Sequence, residues 1–219
     1  MKENEPESML KRAVLVILRQ AVGRAGELTS CTWDSCNWSL DAMLCPDWRQ
    51  YKTSIEFPCP FPPDRLSYLL DVNHALACYI MTSTHSTFRV PHTDKAYDNV
   101  RWMFPMFQNL GRGGVATKVS KIITEMKGKV DGLKDGQTSH GLRAGALDEM
   151  LNNPTCTLAA AVHRGAFASA EYESTLWRYA SAVHDSVLGG RALGGWDDVR
   201  ANVPSPRCIF VNEVSLTND

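Results

Sequence analysis

The chain has 219 residues, 44% hydrophobic and 21% charged, with 23 Lys and Arg against 24 Asp and Glu. That length supports one sizeable core or at most two small domains, and the composition is that of an ordinary soluble globular protein. A net charge of −1 excludes a globally basic protein, no apolar run approaches the ~20 residues of a membrane span, and the acidic start MKENEPES is neither a signal nor a transit peptide.

Residues 8–21 carry Met9, Leu10, Ala13, Val14, Ile17, Leu18 and Ala21 at helical spacing, which predicts an amphipathic helix behind a disordered acidic segment, 1–7. Glycines on both sides of Arg24 predict a tight turn that presents its side chain, either to a ligand or to a surface salt bridge with Glu27. Short aromatic and β-branched runs at Thr32–Trp33–Asp34, Trp38–Ser39–Leu40, Met43–Leu44 and 51–57 then predict a small three-stranded antiparallel sheet. Lys52 falls on or beside its last hairpin turn.

The three prolines of CPFPPDR make 59–65 a loop, with Asp64 as the cap of a helix over 65–81. Residues 82–98, including His85 and His92, read as a polar surface loop. RWMFPMF (101–107) is a hydrophobic clamp broken by Pro105, and GRGG (111–114) a hinge before a helix over 115–126. GRGG lacks the preceding strand and the GK[ST] of a nucleotide loop. Lys118 and Lys121 on that helix, with Lys127 and Lys129 after it, form the candidate DNA-backbone face. Seven of the residues from 112 to 143 are Lys or Arg and three are acidic, so a local basic face is expected.

TSHGLRAGALDEML (138–151) predicts a helix capped by Thr138 or Ser139, with His140 and Arg143 one turn apart above an apolar stripe. Arg supplies a flat fork for phosphate oxygens, and His holds or moves a proton near neutral pH. A short helix over 157–163, a turn at 164–167 and a helix over 171–188 follow, then a Gly- and Pro-rich tail with one strand at 208–211. Seven cysteines at irregular spacings, without CxxC, read as reduced intracellular thiols. With the six scattered histidines they give no metal-ligand pattern, so neither metal nor cofactor is expected.

Taken in order, these residues resemble a tyrosine recombinase catalytic domain. GRAGELTSCTW (23–33) resembles the first arginine box, WRQYKTS (48–54) the hairpin lysine, and TSHGLRAGA (138–146) the His-x-x-Arg box. RGAF (164–167), TLWRY (175–179) and GRALGGW (190–196) are similar to the turn, helix and tail of eukaryotic crypton-like transposon recombinases. The resemblance implies an α+β, mainly helical catalytic domain over 8–197 and a tail over 198–219. It implies cleavage and rejoining of DNA through a 3′-phosphotyrosyl intermediate, without metal or ATP. Arg24 and Arg143 would clamp the phosphate, Lys52 would protonate the leaving oxygen, His140 would assist, and Tyr179 would be the nucleophile. Phe167 stands at the third box, where the family has His or Trp; His163, one turn earlier, is the alternative, and it would move the nucleophile to Tyr172. A nuclear homo-oligomer on DNA, a tetramer, is implied, together with an N-terminal core-binding domain that this sequence does not contain. The alternative is an inactive recombinase-derived scaffold that binds DNA or protein.

Overall fold

A computed structural model describes residues 5–38, 44–50, 55–83, 102–126, 136–165 and 182–196. Six α-helices among them, α1 (Glu5–Gln20), α2 (Val72–Thr82), α3 (Arg112–Glu125), α4 (Ser139–Asn152), α5 (Leu158–Arg164) and α6 (Ala182–Leu193), surround a small antiparallel sheet near the N-terminus. The fold is therefore mainly helical, as the sequence predicts. Three 3-10 turns, η1 (Ala25–Ser30), η2 (Trp33–Ser35) and η3 (Pro105–Phe107), complete the frame.

The apolar stripe of α1 (Ala13, Val14, Ile17, Leu18) is buried and packs on α2, α3 and α4. Val72, Ala75, Leu76 and Tyr79 of α2 join Val115, Val119, Ile122 and Ile123 of α3 in the main core. The expected 101–107 clamp closes it: Met103, Phe104 and Phe107 are buried, and the Phe104 ring stacks on Tyr79 at 5.8 Å. A second, smaller cluster joins Ala146 and Met150 of α4, Ala160 and Ala161 of α5, and Leu188, Ala192 and Leu193 of α6.

Several expected boundaries move. The helix α1 begins at Glu5, not at residue 8, so part of the acidic segment is its first turn, where carboxylates favour the positive end of the helix dipole. Lys11 ties Glu7 to Glu125 of α3, at 2.9 Å each. Residues 33–35 form η2 rather than a strand, with Thr32 Oγ1 accepting from the Ser35 amide. Strand β1 (Cys36–Trp38) pairs with the first part of β2 (Leu44–Gln50), and β3 (Ile55–Pro58) with its last part. Most of β2, from Cys45 through Pro46 to Trp48, was not expected as strand. Pro46 is tolerated because its carbonyl still accepts the Cys59 amide, so the missing N–H, which faces the same side, removes only one ladder bond.

Helix α2 starts at Val72, not at residue 65. Asp71 caps it by accepting the His74 amide at 2.7 Å, whereas Asp64 closes a turn on the amides of Leu66 and Ser67. Leu66 and Leu69, inside the expected helix, are exposed in consequence. Helix α3 starts at Arg112 with Gly111 as its cap, which absorbs the expected hinge glycines into its first turn. Helix α5 is displaced by one residue from expectation, and Thr157 Oγ1 caps it through the Ala160 amide. Helix α6 runs to Leu193, through Gly189 and Gly190, which were expected in the tail. Among the described residues no helix is long and apolar enough to cross a membrane.

Candidate functional site

The turn that carries Arg24 folds around a buried carboxylate. Arg24 lies just before η1 in extended conformation, and its amide donates to Glu27 Oε2 at 2.8 Å while its Nη1 donates to Oε1 at 3.2 Å. Trp48 Nε1, from β2, donates to Oε2 at 2.9 Å. Glu27 is thus 2% exposed yet satisfied by three donors, as a buried charge must be. Gly23 is what allows it: a Cβ there would lie 2.4 Å from the Trp48 ring. The expected Arg24–Glu27 pair forms, but inward at its acidic end rather than on the surface, the Arg24 side chain being 38% exposed and that of Glu27 3%.

Arg143 reaches the same place from α4. It is 4% exposed, with one guanidinium nitrogen donating to the Val22 carbonyl and the other to the Gly165 carbonyl at 2.5 Å. Val22, two residues before Arg24, has φ +50°, a left-handed conformation costly for a β-branched residue. Burial first, and the Arg24 charge second, pull the Arg143 guanidinium down to about 10, and the Glu27 carboxylate offsets part of this. Arg143 thus grips the backbone two residues before Arg24, so residues 119 positions apart are brought near one another.

His140 does not share that burial. It is exposed while Arg143, one turn on, points into the protein, so the spacing alone did not make them a pair. Lys118 donates its ammonium to the Met106 carbonyl at 3.2 Å, and Lys121 is exposed. His163 lies in α5, its side chain outside the described residues. Lys52, Lys127, Lys129, Phe167, Tyr172 and Tyr179 lie outside them as well, as do the 82–98 loop beyond residue 83 and the expected strand at 208–211. Among the described residues no group of three or more His, Cys, Asp or Glu can hold a metal ion.

Sequence reasoning missed two members of the site's frame. Glu27 was seen only as a surface partner. Arg164, at the start of RGAF, is completely buried, donates from Nε to the Gln20 carbonyl at 2.8 Å and lies over the Phe61 ring at 5.5 Å. Burial lowers its pKa. Arg143 and Arg164 together satisfy carbonyls at the C-terminal end of α1, where carbonyls lack helical partners and the dipole is negative. A groove over Leu142, Ala146 and Ile123, rimmed by Arg19 and Glu149, runs along α4, but neither Arg143 nor His140 lines it.

No family model, curated protein or solved structure matches the chain.

Proposed function

We propose that this chain is a crypton-like tyrosine recombinase catalytic domain with a tyrosine-recombinase-type fold and a three-stranded sheet, cleaving and rejoining DNA. The observation that carries the reading is that Arg143 holds the Val22 carbonyl, two residues before Arg24, so that two arginines distant in sequence lie near one another. In this mechanism the Tyr179 hydroxyl oxygen attacks the scissile phosphorus, forming the 3′-phosphotyrosyl bond as the bond to the 5′-oxygen breaks. Lys52 gives that oxygen its proton, leaving a free 5′-hydroxyl, and His140 helps take the proton of the tyrosine. Arg24 and Arg143 stabilise the charge gathered on the non-bridging oxygens. For this, Arg143 exchanges a backbone carbonyl for phosphate. The enzyme acts as a nuclear homo-oligomer on DNA, with Lys118, Lys121, Lys127 and Lys129 along the backbone.

One observation favours a second reading. Arg143 is buried on two backbone carbonyls, which is how a purely structural arginine is used; the scaffold would then be an inactive recombinase derivative that binds DNA or protein. A nicked suicide substrate carrying the element's end sequence separates the two, because loss of the short 3′ fragment traps the covalent adduct. Active protein forms an adduct that Tyr179→Phe and Arg24→Ala abolish and Tyr172→Phe leaves intact. Loss with Tyr172→Phe alone moves the nucleophile to Tyr172, and no adduct from the wild-type chain selects the inactive scaffold.

A further inference from the structure

The GRALGGW stretch (190–196) has no task in the chemistry proposed above, yet its residues converge on one place. Gly190 packs on the proline-rich loop, where a Cβ would meet Pro62 Cδ at 2.7 Å, and Gly194 gives its carbonyl to the Arg65 amide at 2.8 Å. Gly195, at φ +68°, turns the chain where a Cβ would fall 2.1 Å from Leu66 Cγ. Trp196 then lies back on the loop, its Nε1 donating to the Pro63 carbonyl at 3.0 Å. The outcome is an indole fixed by its own N–H, with the Arg65 guanidinium over the ring at 4.5 Å and that of Arg191 at 4.8 Å.

Two cations at those distances from one ring are close neighbours, whichever faces they cover. The indole attracts each of them, but they repel one another, and an anion between them removes that repulsion. A guanidinium stacked on a ring keeps its five N–H donors in its own plane, open to a ligand at its edge. Arg65 is exposed, and among the described residues no carboxylate or carbonyl takes its side-chain donors. Asp64, its neighbour in the chain, engages Oδ1 with the amides of Leu66 and Ser67 instead. Stacking already orients the Arg65 side chain, so a ligand that binds there freezes little further rotamer freedom.

We propose that Arg65 and Arg191, seated on Trp196, form a binding site for phosphate oxyanions, made of residues other than Arg24 and Arg143. Planar forks match phosphate oxygens in pairs. Two adjacent positive charges suit a phosphate dianion, or two successive phosphodiesters, better than a single carboxylate. A free phosphate group and a nucleic-acid strand share that chemistry. The inference does not rest on the recombinase reading.

Arginine Nε–H resonances of the 15N-labelled full chain test it, followed while inorganic phosphate replaces chloride at constant ionic strength. Arg65→Gln, Arg191→Gln and Arg49→Gln assign the peaks. Those of Arg65 and Arg191 should move together and saturate, while that of Arg49, exposed on β2, stays in place. Arg65→Gln should weaken phosphate binding at Arg191 at least tenfold, with an unchanged circular dichroism spectrum. A short DNA duplex added to the phosphate-loaded wild type separates the two sources. Displacement of phosphate from both peaks identifies a strand as the ligand, and phosphate left undisturbed identifies a free phosphate group. Asp197 and Asp198, next in the sequence, are the competing anions; if they fill the site, phosphate moves neither peak and the proposal fails. An equal shift at Arg49, or an undiminished phosphate affinity in Arg65→Gln, overturns it as well.

Discussion

At the scale of single residues, Glu27 does more than its place in the sequence announces. Its carboxylate satisfies the Arg24 amide, an Arg24 guanidinium nitrogen and the Trp48 indole, so Glu27→Ala strands the buried Trp48 indole without a partner. A cost of about 3 kcal/mol is expected, measured by urea unfolding. Glu27→Gln, which keeps one acceptor oxygen, is expected to cost less. Arg24→Ala should cost only about 1 kcal/mol, because that side chain is 38% exposed and solvent replaces part of what it loses. Equal costs for Glu27→Ala and Arg24→Ala would show that the carboxylate is not the hub. Arg24 and Arg143 stand out in the sequence; the burial of the carboxylate that pairs with Arg24 does not. A glutamate three residues after an arginine reads as a surface pair, and what buries it is Trp48, on a strand hidden by Pro46.

At the scale of elements, the long periodic helices α1 and α4 were readable, since one buried stripe at helical spacing leaves few alternatives. The start of α2 was not. Asp64 and Asp71 are equally good caps in sequence, and the choice is made by tertiary contacts: Asp71 Oδ2 also accepts the Asp64 amide, and Arg12 holds the carbonyls of Tyr68 and Leu69. Paired glycines misled the reading of α6 for a similar reason. Gly189 stands where a Cβ would meet Met150 Cε at 2.7 Å and Arg164 Cβ at 3.0 Å, so it is there for close packing of α6 on α4 and α5, not to end a helix. Gly189→Ala should therefore destabilise by about 1–2 kcal/mol, overpacking outweighing the helix propensity gained. Gly145, on α4, has nothing within 4 Å of a Cβ, and Gly145→Ala should stabilise by about 0.5–1 kcal/mol. Thermal unfolding of the two variants should move the melting temperature in opposite directions.

At the scale of the whole molecule, charge sets two behaviours. Burial raises the thiols of Cys36 to about 12 and Cys59 to about 11, and Cys31 well above its ordinary value of 9. Above pH 9 the unfolded chain ionises these thiols while the folded chain keeps their protons, so the unfolded state binds fewer protons and stability falls as pH rises from 9 towards 11. Arg143 acts in the opposite sense, but only from about pH 10 upward, where the folded form releases its proton first. Urea midpoints should decline between pH 8.5 and 10, and less steeply in Cys59→Ala. The second behaviour concerns DNA. The 23 cationic side chains face 24 acidic ones, and among the described residues several cations are already engaged: Lys11 on Glu7 and Glu125, Arg19 on Glu149, Arg24 on Glu27, and Arg143 and Arg164 on backbone carbonyls. The acidic side chains offset the remaining cations, and each cation that does bind a phosphate releases about 0.9 counterion from duplex DNA. This chain alone should therefore hold duplex DNA no tighter than micromolar, with a log–log salt slope no steeper than about −3. Fluorescence anisotropy from 50 to 200 mM salt measures both. Nanomolar affinity that salt does not weaken would mean recognition through something other than the arginine site and the α3 lysines.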